Sequence, residues 1–163
     1  MKTLKALIPI LLLCIMAVTS GCTALGWNTV QVEKLKLKYA DAESEIIEID
    51  EMKIHYKDEG QGPVLILLHG VCASLHTWDG WTQRLKDRYR IIRLDIPGFG
   101  KSSKFMDEHY GIEIQVERLK KFVELLGIKK FHIAGNSMGG YISGMYAATY
   151  PDQIESLGLF AAA

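Results

Sequence analysis

Residues 131–139 read Phe131, His132, Ile133, Ala134, Gly135, Asn136, Ser137, Met138, Gly139, a serine spaced between two glycines directly behind a short, mainly apolar run. The run predicts a strand, and the residues from Met138 to Tyr150, ending before Pro151, predict a helix. A serine at such a strand-to-helix turn is forced onto strained backbone that presents its hydroxyl, and the glycines spare neighbouring elements a clash with a Cβ. The stretch reads as a nucleophile elbow, with Ser137 the nucleophile and the Met138 amide, at the amino end of its helix, a donor for a developing oxyanion.

Glycine-rich turns between strands and helices are common, so the surroundings carry the argument. Upstream, Pro63 to Leu68 reads as a buried strand running into His69, Gly70 and Val71, then the small residues Cys72, Ala73 and Ser74. Tyr89 to Leu94 predicts another strand, ending in Asp95, Ile96, Pro97, Gly98, Phe99, Gly100, Lys101 and Ser102. Over about Ile46 to Phe160, the order strand, His-Gly turn, helix, strand, Asp-x-Pro-Gly-Phe-Gly-x-Ser loop, helix, strand and Gly-Asn-Ser-Met-Gly-Gly turn resembles the α/β-hydrolase family. The resemblance implies a mostly parallel sheet with helices on both faces and an acyl-enzyme formed on Ser137. It implies that the Val71 amide is the second oxyanion donor, that His69 and Gly70 shape its turn, and that Asp95 holds the loop from Ile96 to Ser102. Gly135 and Gly139 support the elbow.

Outward from these turns, Glu45 to Asp50 and Met52 to Lys57 alternate apolar and polar residues across Asp50 and Glu51, predicting an antiparallel pair at the sheet edge, with Asp58 to Gly62 as the following loop. Thr77 to Asp87 predicts a helix with Trp78, Trp81 and Leu85 packed on the sheet. Ile112 to Leu126 predicts another, with Ile112, Val116, Leu119, Val123 and Leu126 inward and Glu113, Glu117, Lys120, Lys121 and Glu124 in water, stopped by Gly127. Ser156 to Phe160 reads as a final buried strand. Trp78, Phe99 and Tyr141 read as core or pocket wall.

The amino terminus is different in kind. Lys2 and Lys5 precede an apolar stretch from Ala6 to Val18, then Thr19, Ser20, Gly21 and Cys22, the pattern of a secretory signal rather than a transmembrane helix. Ser20, Gly21 and Cys22 look like the end of a bacterial lipobox, although Thr19 stands where an aliphatic residue is usual. The expectation is a signal peptide over 1–21, a lipidated Cys22, a tether over 22–45 and the hydrolase domain over 46–163, giving an envelope lipoprotein held at a membrane; cleavage without lipid would give a secreted soluble protein. The 163 residues carry no formal net charge, and without residues 1–21 there are 17 basic against 19 acidic residues. No basic stripe points to nucleic acid. Of three cysteines, Cys14 lies in the signal, Cys22 would carry lipid and Cys72 reads as a small buried residue. Neither metal nor cofactor is expected; the expected partner is a small-molecule or lipid ester.

A serine hydrolase needs a base, and in this family the acid and then the histidine follow the serine. Downstream of Ser137 the acids are Asp152 and Glu155, which read as surface charges, and there is no histidine. His132 opens the strand leading to the elbow, about 16 Å from Ser137 at about 3.3 Å per residue. His55 reads as a solvated or packed ring, His76 and His109 sit near loops, and His69 belongs to the oxyanion turn. The chain therefore reads as the amino-terminal part of the fold, truncated after the sixth of eight strands and nearly inactive alone. The expected activity is that of an esterase or lipase; serine at 137 argues against dehalogenases and epoxide hydrolases, where the resemblance would require aspartate. Carbon–carbon bond hydrolases of ring-fission products, or a catalytically dead envelope lipoprotein used for binding, are the alternatives.

Overall fold

The computed structural model describes residue 39, residues 43–103 and residues 111–162. The chain divides into two compact units, Met1–Asp41 and Ala42–Ala163. The signal segment, Cys22, nearly all of the tether and His109 lie outside the described residues. Among the described residues, no helix is long and apolar enough to cross a membrane.

The second unit is built on a six-stranded sheet ordered β1-β2-β4-β3-β5-β6. Its strands are β1 (Ser44–Ile49), β2 (Met52–Glu59), β3 (Val64–Leu68), β4 (Arg90–Leu94), β5 (Phe131–Asn136) and β6 (Ile154–Phe160). β1 pairs with β2 and β2 with β4 antiparallel, while the β4–β3, β3–β5 and β5–β6 pairs are parallel. Asp50 and Glu51 join β1 to β2 with φ of 49° and 62°. Positive φ at both turn residues matches the right-handed twist of a two-residue hairpin, the edge pair expected from the alternation.

The strands alternate side chains between two layers. Ile66, Leu68, Ile92, Leu94 and Ile133 belong to the larger core, with Val116, Leu119, Phe122 and Val123 of α2 (Ile112–Leu125) and Ile142 and Tyr146 of α3 (Met138–Thr149). Leu67, Ile91 and Ala134 belong to the smaller core, with Trp78 and the partly buried Leu85 of α1 (Asp79–Leu85). Helices therefore cover both faces, which is why β3 reads as a continuous apolar run rather than an alternating one. At the end of α2, Ile128 N–H donates to Val123 O at 3.0 Å and Gly127 N–H to Glu124 O at 2.9 Å, with Gly127 at φ 68°. Those two bonds and the contact of Ile128 with Val123 make a Schellman cap.

Several expectations need correction. β2 continues through Asp58 and Glu59, which were assigned to a loop. Their carboxylates meet Arg90 and Arg93, each at 2.5 Å, and Arg93, 3% exposed, also pairs with Asp79. The helix expected over Thr77 to Asp87 is a 3-10 turn at Leu75–Trp78 followed by the short α1. Trp78 is buried there, but Trp81 is 39% exposed. The inward face of α2 adds Phe122 and the buried polar residues Gln115 and Arg118 to the expected set, of which Ile112 and Leu126 are partly buried against the same core. β6 starts at Ile154 and is an edge strand, with Leu157 41% and Leu159 51% exposed. Having one neighbour instead of two, its apolar run is only partly covered. β1, too, begins inside the stretch expected as tether.

Candidate active site

Ser137 sits between the end of β5 and the start of α3 with φ 51° and ψ −120°. A non-glycine residue held in so sparsely populated a region costs about 1–3 kcal/mol, so its surroundings must enforce it. They do so by close approach. A Cβ on Gly135 would lie 2.1 Å from Gly139 O, and one on Gly139 would lie 2.4 Å from Leu68 O and 2.5 Å from His69 O. The first turn of α3 is thus seated against the ends of β3 and β5, and the glycine spacing read from the sequence is a packing requirement. Ser137 N–H donates to Phe160 O at 2.9 Å, and Tyr141 N–H donates back to Ser137 O at 3.0 Å. The serine is half-buried, and no described side chain hydrogen-bonds its hydroxyl. Met138 opens α3, so its N–H is one of those a helix leaves without an internal partner.

The turn after β3 abuts the elbow: a Cβ on Gly70 would lie 3.2 Å from Ser137 Cβ and 3.1 Å from Asn136 Oδ1. His69 is fully buried beside it, with Phe99 edge-on at 5.8 Å between ring centroids. Ile96 N–H can only donate, so His69 Nε2, 3.0 Å away, is the acceptor and Nδ1 carries the proton it gives to Gly70 O at 2.7 Å. Burial holds the ring below the ordinary pKa of 6.5, against the opposing pull of the Gly70 carbonyl and the Asp95 charge. A neutral ring with both nitrogens engaged is not placed to accept a proton from Ser137. Its bond instead fixes the peptide plane between Gly70 and Val71, because in a trans peptide the Gly70 C=O and the Val71 N–H point opposite ways. The Val71 side chain is 57% exposed.

Asp95, 1% exposed, organises the third element of the site. Its Oδ1 accepts Leu75 N–H at 2.8 Å, and its Oδ2 accepts Lys101 N–H at 2.8 Å and His55 Nδ1–H at 2.7 Å. Ser102 Oγ–H donates to Asp95 O at 2.6 Å, and Gly100 is the only residue type that fits, since its Cβ would lie 2.1 Å from the carboxylate. Burial alone would raise the acid, but the His55 hydrogen bond and the two amides outweigh it and hold Asp95 below its ordinary 3.8. Asp95 therefore does hold the loop from Ile96 to Ser102 together.

The remaining histidines are placed elsewhere. His55, 1% exposed, is a packed and bonded ring. His76 Nδ1 lies 3.0 Å from Asp79 Oδ2, and His132, at the far end of β5 from the elbow, has Nδ1 2.9 Å from Ser156 Oγ of β6. Asp152 and Glu155 are exposed, as expected of surface charges. Cys72 is exposed rather than buried, because a positive φ of 56° turns it outward at the tip of the turn. Tyr141 is 45% exposed. Among the described residues, no group of three His, Cys, Asp or Glu side chains could hold a metal ion. The sequence reading missed the bond from His55 to Asp95. The one available signal was a histidine on an alternating strand, which does not name its partner 40 positions away.

The profile of the alpha/beta hydrolase fold family matches residues 63–162. Similar proteins include monoacylglycerol lipase abhd6-B of Xenopus laevis, 38% identical over 102 residues that cover 61% of this chain and 30% of the lipase. Another is the 2-hydroxy-6-oxononadienedioate/2-hydroxy-6-oxononatrienedioate hydrolase of Escherichia coli O81 (strain ED1a), 34% identical over 111 residues, covering 65% of this chain and 38% of the hydrolase. Among solved structures, a bacterial membrane phospholipase A superposes with a TM-score of 0.72 at 32% identity, covering 99% of this chain and 52% of that one. The chain thus spans 30% and 38% of the length of those two curated relatives.

Proposed function

The chain belongs to the alpha/beta hydrolase fold family, and from that premise we propose that it serves a hydrolase cleaving carboxylic esters, with Ser137 as nucleophile. The observation that carries this reading is the left-handed backbone of Ser137 at the start of α3, in contact with the turn at Gly70. Ser137 Oγ attacks the ester carbonyl while a base takes its proton, and the N–H groups of Met138 and Val71 receive the oxyanion. Collapse breaks the bond to the alcohol, which leaves with the proton, and water then hydrolyses the acyl-serine to carboxylic acid and free Ser137. Losing one such donor typically costs about 3–4 kcal/mol of barrier. The four described histidines are engaged elsewhere, so the proposal places the base and its acid outside the described residues.

The test is turnover of a p-nitrophenyl ester, with fluorophosphonate labelling, by the full-length protein that carries the base and by its Ser137→Ala variant. Loss of about a millionfold in turnover and loss of the label are expected. Wild-type turnover by the variant would sink the reading, and a wild type that neither labels nor hydrolyses would favour a scaffold used for binding. Similarity to the Escherichia coli hydrolase supports a second reading, cleavage of a carbon–carbon bond in a ring-fission product on the same elbow. Comparing kcat/KM for such a diketone acid and for acyl esters separates the two.

We further propose that Cys22 carries a lipid that holds the protein at the cell envelope, with a lipid or small ester as substrate. The Ser20, Gly21, Cys22 sequence supports this. Incorporation of labelled palmitate that survives in Cys22→Ser would refute it.

A further inference from the structure

The turn that carries Gly70 and Val71 is tied at both ends to one short segment after β4. At its start, His69 Nε2 accepts Ile96 N–H at 3.0 Å; at its end, Leu75 N–H donates to Asp95 Oδ1 at 2.8 Å. The geometry of that turn therefore depends on how firmly the Asp95 carboxylate is set. The torsion that turns a carboxylate is broad and nearly two-fold, so a single amide would leave it free to swing. Here three donors divide over its two oxygens, and the only side chain among them is His55, on β2.

His55 is well built for that task. Its backbone is pinned on both sides, with His55 O accepting Asp95 N–H at 2.9 Å and His55 N–H donating to Ser102 Oγ at 2.9 Å. Its ring is pinned at the far nitrogen, where Nε2 lies 3.0 Å from Ser44 Oγ. Ser44, His55 and Asp95 follow the hydrogen-bond order of a nucleophilic triad. The ring, however, is 1% exposed and sealed inside the sheet layer, out of reach of any substrate.

Resting on the reading of Ser137 as nucleophile, we propose that His55 is a positioning residue for the oxyanion turn. By holding Asp95 it fixes Leu75 N–H, and with it the path of the backbone that presents Val71 N–H. Without that donor the carboxylate turns toward Lys101 or admits water, and the Val71 amide drifts from the place where the oxyanion forms. A displacement of about 1 Å in such a group can cost about a hundredfold in rate.

Two variants of similar bulk test this. His55→Asn places an amide donor where Nδ1 stood; His55→Leu fills the space with no donor. Ester turnover is measured on the full-length protein that carries the base, alongside hydrogen exchange at the Leu75 and Lys101 amides, which requires no chemistry. His55→Leu is expected to lose about ten- to a hundredfold in kcat with KM within about twofold, and to exchange faster at Leu75. His55→Asn is expected to recover most of both. The proposal is overturned if His55→Leu matches the wild type in kcat and exchange, or if His55→Asn recovers nothing, as a role in packing alone would have it. If Ser137→Ala proves fully active, the nucleophile reading fails on its own, and the exchange data still decide whether His55 secures the turn.

Discussion

Two turns meet at Ser137, and different forces hold them. The elbow is set by close contact: Gly135 and Gly139 let the first turn of α3 settle where backbone oxygens leave no room for a Cβ. The turn at Gly70 is set at a distance, by the bond its own His69 ring accepts from Ile96 N–H and the one Leu75 N–H donates to the Asp95 carboxylate just after β4, and its outer side chains Val71 and Cys72 are exposed. Steric fixing is written in the five residues that use it. Hydrogen-bonded fixing is spread over residues 20 to 40 positions apart.

The comparison can be broken most forcefully at the elbow. Gly135→Ala puts a methyl 2.1 Å from Gly139 O, with backbone on both sides and nothing free to give way. Thermal denaturation is expected to show a loss of about 3 kcal/mol, at the upper end of overpacking costs. Gly70→Ala, whose nearest atoms stand at 3.1 and 3.2 Å, should cost visibly less. Equal losses would mean that both turns are held by contact alone.

At the other turn, Asp95→Asn leaves a partner for Leu75 but turns an N–H toward donors. A loss of about 2 kcal/mol is expected in denaturant unfolding, the scale of one charged hydrogen bond. Acid provides an independent probe, since His69 and Asp95 are both held below their ordinary values of 6.5 and 3.8. A group with a depressed native pKa contributes stability above its unfolded value that is lost as pH falls through the native one. Stability is therefore expected to decline below pH 6.5 on account of His69 and more steeply below 3.8 on account of Asp95. Melting curves against pH check this, and Asp95→Asn should lessen the second decline while leaving the share of Asp79, whose carboxyl, against the effect of burial, Arg93 and His76 also hold below 3.8. The smallest effect belongs to Val71→Ala: its side chain is 57% exposed and its proposed role is a backbone N–H, so stability should move by less than about 0.5 kcal/mol.

The same division explains what was legible in the sequence. The elbow, the His69-Gly70 turn and the loop from Asp95 to Ser102 were located by the glycines and proline that mark local backbone geometry, while the roles of the last two came from the family resemblance. The antiparallel edge pair followed from the alternation across Asp50 and Glu51; the order of the strands in the sheet did not. Leu157 and Leu159 are exposed because β6 pairs only with β5 among the described residues, the unpaired apolar edge expected of a last strand in the sequence as written. What escaped depends on neighbours. Cys72 read as buried because its size suits a core, whereas a left-handed turn swings it out. Asp58 and Glu59 were assigned to a loop, and only Arg90 and Arg93 across the ladder make strand positions of them.

The bond from Ser137 N–H to Phe160 O ties the backbone of residue 137 to the end of β6. Phe160 closes β6, and its ring is bracketed by Trp78 and Trp81 at 6.1 and 5.1 Å. A change that shifts this end of β6 is therefore expected to reach the strained backbone of Ser137, and loosening at either place to be felt at the other.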